Sequence, residues 1–323
     1  MTNVLVTGGA GYIGSHCCKE LRGSGFNPIT FDNLVYGYEE NVRWGDFYRG
    51  DLGNPQDLHD CFTRYRIDAV IHFAAYAYVG ESVVDPLKYY QNNVGNTIRL
   101  LQAALSKEVR SVIFSSSCAT YGIPEATPID EAHPLNPINP YGRTKQMIEQ
   151  ILADCDSAYG LRYASLRYFN AAGADPQGEV GENHNPETHL IPLILDVAAG
   201  KSKEIRIFGD DYPTADGTCI RDYIHVTDLA RAHILALERL LDGAPSDFYN
   251  LGQGRGFSVT EVIDQVSAVT GRDIASVRVD RRPGDPPVLV ASNTKSKECL
   301  NWQPEYTNLE DIVRTAWNWH QTL

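Results

Sequence analysis

Near its amino terminus the chain reads Val4-Leu5-Val6-Thr7-Gly8-Gly9-Ala10-Gly11-Tyr12-Ile13-Gly14. The apolar run predicts a buried strand, and the residues after the glycines predict the start of a helix. A pyrophosphate needs close backbone approach and free N–H donors at a helix amino terminus, and glycine permits both. Two spacings fit, GxGxxG from Gly9 and GxxGxxG from Gly8, and a purely structural tight turn is the alternative.

Short apolar runs alternate with helix-length segments along the first half of the chain. We predict strands at 4–7, 28–32, 69–73, 112–115 and 162–168, with helices that include 93–108 and 141–159. This alternation predicts an α/β fold, a doubly wound parallel sheet of the Rossmann type. Glycine and proline become frequent beyond residue 170, which indicates a smaller α/β substrate-binding domain. We therefore expect an NAD-binding domain at 1–170 and a second domain at 171–323, with a helix at 225–241 that could cross back to the first.

Composition narrows the classes of function. The 323 residues carry a net charge of −13, which argues against a nucleic-acid partner because phosphates require a basic face. No run of eighteen apolar residues and no basic leader occurs, so we expect no membrane span. The seven cysteines show no CxxC spacing, so we expect neither a disulfide framework nor a thiolate metal site, and we assign no metal ion. We expect a reduced, cytoplasmic protein.

Asp32 ends the second predicted strand, eighteen residues after Gly14. A carboxylate there accepts hydrogen bonds from ribose hydroxyls and repels a 2′-phosphate, which favours NAD over NADP as the cofactor. A turn aspartate is the alternative. Asp51 and Leu52 follow a third short strand and could flank the adenine ring.

Tyr141 and Lys145 lie four residues apart at the start of a predicted helix and so share one of its faces. A lysine and the nicotinamide cation both favour phenolate, so we expect the pKa of Tyr141 to fall from about 10 and suit general-base chemistry. Ser117 ends a predicted strand, where its hydroxyl can orient a substrate. Cys118 lacks a partner histidine and is expected to be a small buried residue.

Motifs along essentially the whole chain resemble those of the UDP-galactose 4-epimerases, within the extended short-chain dehydrogenases. In the first half they are the segments at 7–16, 72–75, 79–82, 141–145 and 167–170. In the second half they are Ile207-Phe208-Gly209-Asp210-Asp211-Tyr212-Pro213-Thr214 and Arg221-Asp222-Tyr223-Ile224-His225-Val226. The second pair is the more specific, because related nucleotide-sugar enzymes share the first set.

The resemblance implies a role for each matching residue. Ser117, Tyr141 and Lys145 would be catalytic. The residues expected to contact NAD are Gly8, Gly11, Tyr12, Ile13, Gly14, Asp32, Asn33, Asp51, Leu52, Phe73, Ala74, Asn92, Tyr141, Lys145 and Tyr168. Those expected to contact the substrate are Ser117, Tyr141, Asn170, Leu190, Phe208, Arg221, Tyr223, Arg282, Asp285 and Leu289. Arginine forks suit a diphosphate, and aromatic walls suit a flat base.

Three positions depart from the family pattern. Ala77 stands where some members have a lysine that contacts NAD. His189 replaces an asparagine near the sugar. Leu289 occupies a sugar-pocket position that is a tyrosine or a smaller residue in other members.

The resemblance implies reversible 4-epimerisation of UDP-galactose and UDP-glucose through a 4-keto sugar, by a homodimer with tightly bound NAD. Epimerisation of another UDP-sugar, an N-acetylhexosamine, pentose or uronic acid, is an alternative. A nucleotide-sugar 4,6-dehydratase would need an Asp-Glu pair where Cys118 and Ala119 stand. A non-catalytic NAD-sensing module would not need Ser117, Tyr141 and Lys145 together.

Overall fold

The structure is a computed structural model and describes residues 1–282 and 284–323. Strands within these ranges are β1 (Asn3–Thr7), β2 (Asn27–Asp32), β3 (Asp46–Arg49), β4 (Ala69–His72), β5 (Ser111–Ser115), β6 (Arg162–Tyr168), β7 (Asn170–Ala172), β8 (Ile205–Phe208), β9 (Ile220–His225), β10 (Asp247–Leu251), β11 (Gly256–Ser258), β12 (Ser276–Val279) and β13 (Val288–Leu289). The helices are α1 (Tyr12–Gly23), α2 (Pro55–Arg64), α3 (Val79–Val84), α4 (Pro86–Tyr89), α5 (Asn96–Ser106), α6 (Pro140–Tyr159), α7 (Leu190–Ala198), α8 (Val226–Leu241), α9 (Val259–Thr270), α10 (Thr294–Leu300) and α11 (Leu309–His320).

Seven strands form a parallel sheet in the order β3-β2-β1-β4-β5-β6-β10. Its central strands are buried on both faces, which explains why they read as continuous apolar runs. The strand order reverses between β1 and β4, the point at which ligands bind in doubly wound folds. The prediction of a Rossmann-type sheet is confirmed.

The predicted helix at 93–108 differs from the structure at its start. Residues Tyr90–Gly95 form a π-helical turn, and α5 begins only at Asn96. The wider turn places the Asn93 side chain against the backbone of Tyr76, with bonds of 2.9 and 3.0 Å to its N–H and carbonyl. Tertiary bonding therefore changes the helix geometry at a point where the local pattern gives no warning.

The second half of the chain contributes to two regions. A small sheet pairs β9 with β7, β11 and β13, and β8 pairs with β12. Helix α8 returns to the large sheet and packs against α1, sharing a core that includes Leu21, Val6 and Leu229. The two-domain division near residue 170 stays a prediction. No described helix has both the length and the apolar character needed to cross a lipid bilayer.

Candidate active site

A cavity of about 520 Å³ lies at the carboxyl edge of the seven-stranded sheet. This size is typical of a ligand site. Every residue that the sequence predicts to contact NAD lines it, and so does Ser117. The structure thus places at one cavity residues that lie far apart in the chain, from Gly8 in the glycine loop to Tyr168 at the end of β6.

The glycine loop lies at the amino end of α1. Gly8 has a φ of +74°, and a Cβ there would lie 2.7 Å from the backbone nitrogen of Ala74. Gly11 precedes the helix, and no described side chain caps the N–H groups of the first turn. These donors and the positive end of the helix dipole therefore suit a pyrophosphate.

Asp32 lies at the end of β2 and is buried. Its two oxygens accept bonds from the N–H groups of Ala10 at 3.0 Å and Leu34 at 2.8 Å. Burial raises the pKa of this carboxyl, and these backbone bonds oppose the rise. Each oxygen keeps a lone pair for a ribose hydroxyl, so the donor and acceptor set fits NAD.

Helix α6 carries Tyr141 and Lys145 one turn apart. The Lys145 ammonium lies 5.7 Å from the centre of the Tyr141 ring and donates to the carbonyl of Ser115 at 2.6 Å. Gly142 lets the helix approach the turn after β5, because a Cβ there would lie 2.4 Å from the carbonyl oxygen of Ala119. That turn begins at Ser117, so the three candidate catalytic groups meet at one wall of the cavity.

Taken together, the surrounding protein groups raise the pKa of Tyr141 above its ordinary value. Burial raises it, Tyr168 raises it further, and a hydrogen bond with Ser117 lowers it only in part. Burial also lowers the pKa of Lys145 to about 7, so much of its positive charge is lost near neutral pH. Desolvation therefore outweighs the lysine effect on which the sequence prediction rested.

A buried ion pair lies beneath Lys145. Glu149, one turn further along α6, accepts bonds from Arg167 at 2.6 and 2.9 Å and from Ser116 at 2.6 Å. Its charge raises the pKa of Lys145 against the effect of burial. No local pattern in the sequence predicts this pair, because its members lie on different elements.

The predicted substrate residues fall into two sets. Asn170, Asp285 and Leu289 line the cavity together with Ser117 and Tyr141. The other five do not line the cavity. Two of these five contact Asp285, which does. Arg221 forms an ion pair with Asp285, and the Arg282 Nε lies 3.7 Å from the same side chain.

The remaining members of the second set lie close behind the cavity wall. The Arg282 guanidinium lies 4.5 Å from the centre of the Phe208 ring. Leu190 begins α7 directly after His189, which lines the cavity. Tyr223 is buried in β9, in register with Asn170 on β7.

Residues that the sequence did not single out also line the cavity. Tyr36, Tyr76 and Tyr78 pack edge to face, with centroid distances of 5.6 and 5.4 Å from the first ring to the other two. Ala77 lies among them. Tyr76 and Tyr78 lie between the motifs at 72–75 and 79–82. The sequence does not show that Tyr36 packs against them.

Comparison with known proteins decides the family. A model of the NAD dependent epimerase/dehydratase family matches residues 4–252. The chain belongs to this family. The predictions of an enzyme and of NAD as its cofactor are thereby confirmed.

Similar proteins within this family cover almost the whole chain. A UDP-glucose 4-epimerase of Halalkalibacterium halodurans is 52% identical, over 98% of this chain and 95% of the relative. One from Rhizobium meliloti is 50% identical, over 98% and 97%. The crystal structure of the Brucella ovis UDP-glucose 4-epimerase in complex with NAD is 54% identical, covers 98% of both chains and gives a TM-score of 0.96. The resemblance stated from the motifs is confirmed.

Proposed function

We propose that this enzyme interconverts UDP-glucose and UDP-galactose by inverting C4 of the hexose, with NAD held through the whole cycle. The relatives named above support the substrate class. The observation that carries the reaction type is the meeting of Ser117, Tyr141 and Lys145 at one wall of the cavity. A non-catalytic NAD-binding module would not need these three groups together.

The residues after Ser117 weigh against a dehydratase. Elimination of water from the sugar needs an acid and a base beside the strand end. Cys118 and Ala119 line the cavity there, and burial raises the pKa of the Cys118 thiol to about 12. A protonated thiol and a methyl group supply neither function at neutral pH.

In the proposed cycle the Tyr141 phenolate takes the proton of the sugar 4-hydroxyl, and Ser117 orients that hydroxyl. NAD, when bound, supplies hydride acceptance and return and a positive charge near the phenol. Lys145 is held near the ring by the Ser115 carbonyl, and the protonated fraction of this amine adds to that charge. The keto sugar then rotates and presents its other face to the cofactor site. Tyr141 returns the proton to the C4 oxygen.

We assign the nucleotide end of the substrate to the second set of residues. Arg221 and Arg282 both lie against Asp285 and can turn from it to a diphosphate, which guanidinium groups bind in a forked geometry. Phe208 and Tyr223 would border the uracil, and Asn170, Leu190 and Leu289 the sugar. Such a clamp holds the nucleotide while leaving the hexose free to rotate.

The test is to incubate the purified enzyme with UDP-galactose and to identify the products by chromatography and mass spectrometry. We expect UDP-glucose without added NAD, and release of NAD rather than NADP on denaturation. A 4-keto-6-deoxy sugar would indicate a dehydratase. If the enzyme converts only an N-acetylated, pentose or uronic UDP-sugar, that sugar is its substrate in place of UDP-galactose. If it converts none of these sugars, the proposal is overturned.

We also propose that the enzyme is a cytoplasmic homodimer. Ile98 of α5 and Met147 of α6 are 39% and 40% exposed, so both helices offer apolar side chains to a second copy. All seven cysteines are free thiols, which suits a reducing compartment. Light scattering after size exclusion should give twice the chain mass, and Ile98→Glu should shift it toward the monomer.

A further inference from the structure

Four metal-ligating side chains meet on the segment that joins β7 to α7. They form what we call the loop cluster, Glu182, His184, Glu187 and His189. One ligand atom from each lies within 4.8 Å of all the others. No role in the proposed epimerisation uses this cluster, and the cysteine spacing gives no hint of it.

The spacing of the ligand atoms suits a small cation. The Nδ1 of His189 lies 2.7 Å from an oxygen of Glu182 and 3.1 Å from one of Glu187. The Nδ1 of His184 lies 3.1 Å from the same oxygen of Glu182 and 3.6 Å from the other oxygen of Glu187. A tetrahedral ion with bonds of about 2.0–2.1 Å separates its ligand atoms by roughly 3.3 Å. The four distances bracket this value.

Neighbouring groups hold the ligands in place. The N–H groups of Thr188 and His189 donate to one oxygen of Glu187 at 2.6 and 2.7 Å. The Trp319 indole donates to the Glu182 carbonyl at 2.9 Å. The Tyr12 ring lies edge-on to His184 at 6.0 Å. Such outer contacts fix ligand orientation at metal sites.

We propose that the loop cluster binds one divalent transition-metal ion, with zinc as the probe. Two imidazoles and two carboxylates suit zinc, cobalt or nickel, whereas magnesium and calcium prefer oxygen ligands alone. Each Nδ1 faces carboxylate oxygens at hydrogen-bonding distance, so an ion between them would displace the protons that they share.

An ion there would act on the cavity from its wall. Glu182, His184 and His189 all line the cavity, and the cluster immediately precedes α7. Coordination would cross-link the two ends of the 182–189 segment through one ion. We therefore expect metal to raise the thermal stability of the enzyme.

The test uses the NAD-loaded full-length enzyme, stripped with a chelator and dialysed against zinc. We expect about one zinc per chain by elemental analysis, and a melting temperature raised by zinc. The double variant His184→Gln/His189→Gln should bind zinc at least tenfold more weakly in calorimetry. His59→Gln, at an exposed histidine on α2, and Cys299→Ser, at an exposed thiol, are matched controls that should bind as the wild type does.

A cobalt-loaded sample gives a second readout that does not depend on how the variants fold. A tetrahedral site with nitrogen and oxygen ligands should give a visible absorption band without thiolate charge transfer. Less than about 0.1 ion per chain in the wild type, a thiolate spectrum, or equal binding by the double variant would overturn the proposal and leave the loop cluster as ion pairs only.

Discussion

Replacing Gly14 by alanine tests the placement of the cofactor loop. A Cβ at this position would lie 2.2 Å from the carbonyl oxygen of Gly8 and 2.9 Å from its carbonyl carbon. Non-bonded heavy atoms settle near 3.5 Å, so the loop and the start of α1 must separate by roughly 1 Å. Both partners belong to the backbone, and no side-chain rotation relieves the contact.

Three effects of Gly14→Ala follow. Overpacking of this kind costs about 1–3 kcal/mol of unfolding free energy. A displacement of about 1 Å at a reacting centre costs on the order of 10²-fold in rate, so we expect that loss in kcat and NAD below full occupancy. Urea unfolding measures the stability, and a coupled assay with UDP-galactose measures kcat. The NAD released on denaturation measures the occupancy.

Gly23→Ala is the matched control on the same helix. Gly23 ends α1, and a Cβ there would meet nothing within 4 Å among the described atoms. Alanine is favoured over glycine within helices by up to about 1 kcal/mol, so this variant should be as stable as the wild type or more so. Full NAD occupancy and unchanged stability in Gly14→Ala would refute the placement of the loop.

Three further predictions concern single side chains of the cavity. Tyr141→Phe should keep NAD bound and lose about 10² to 10⁴-fold in kcat, and near-normal turnover would remove Tyr141 from the mechanism. Burial lowers the pKa of Lys145 from 10.5 to about 7, so between these values the unfolded chain holds a proton that the folded chain lacks and stability rises with pH. Urea unfolding should therefore show wild type gaining on Lys145→Met from pH 7 to 9, and parallel curves would contradict the burial of this amine. Leu289→Ser should raise kcat/KM for UDP-N-acetylgalactosamine more than for UDP-galactose, by about tenfold in their ratio, because it opens space beside the sugar; an unchanged ratio would show that Leu289 does not select substrates.

Local sequence signals were enough to predict the frame of the site. The apolar run and glycines at 4–14 predicted β1, the turn and α1, because each depends on neighbours in sequence. Tyr141 and Lys145 lie close together as their spacing predicts, since a helix fixes the relation of residues four apart.

Long-range encounters account for what the sequence did not predict. The pairing of β10 with β6 joins residues some eighty positions apart, and no local pattern specifies it. The Glu149–Arg167 pair depends on a helix meeting a strand. The net pKa of Tyr141 depends on burial, which follows from the packing of the whole cavity rather than from the lysine alone.

The packing of α8 on α1 has a consequence for synthesis of the chain. The ribosome makes α1 early, but the helix that covers it ends at Leu241, roughly 200 residues later. At about 5–20 residues per second, this interval is on the order of 10–40 s. Until then the side of α1 that packs against α8 has no permanent cover. We therefore expect chaperones that bind exposed apolar surface to bind the nascent amino-terminal segment during translation.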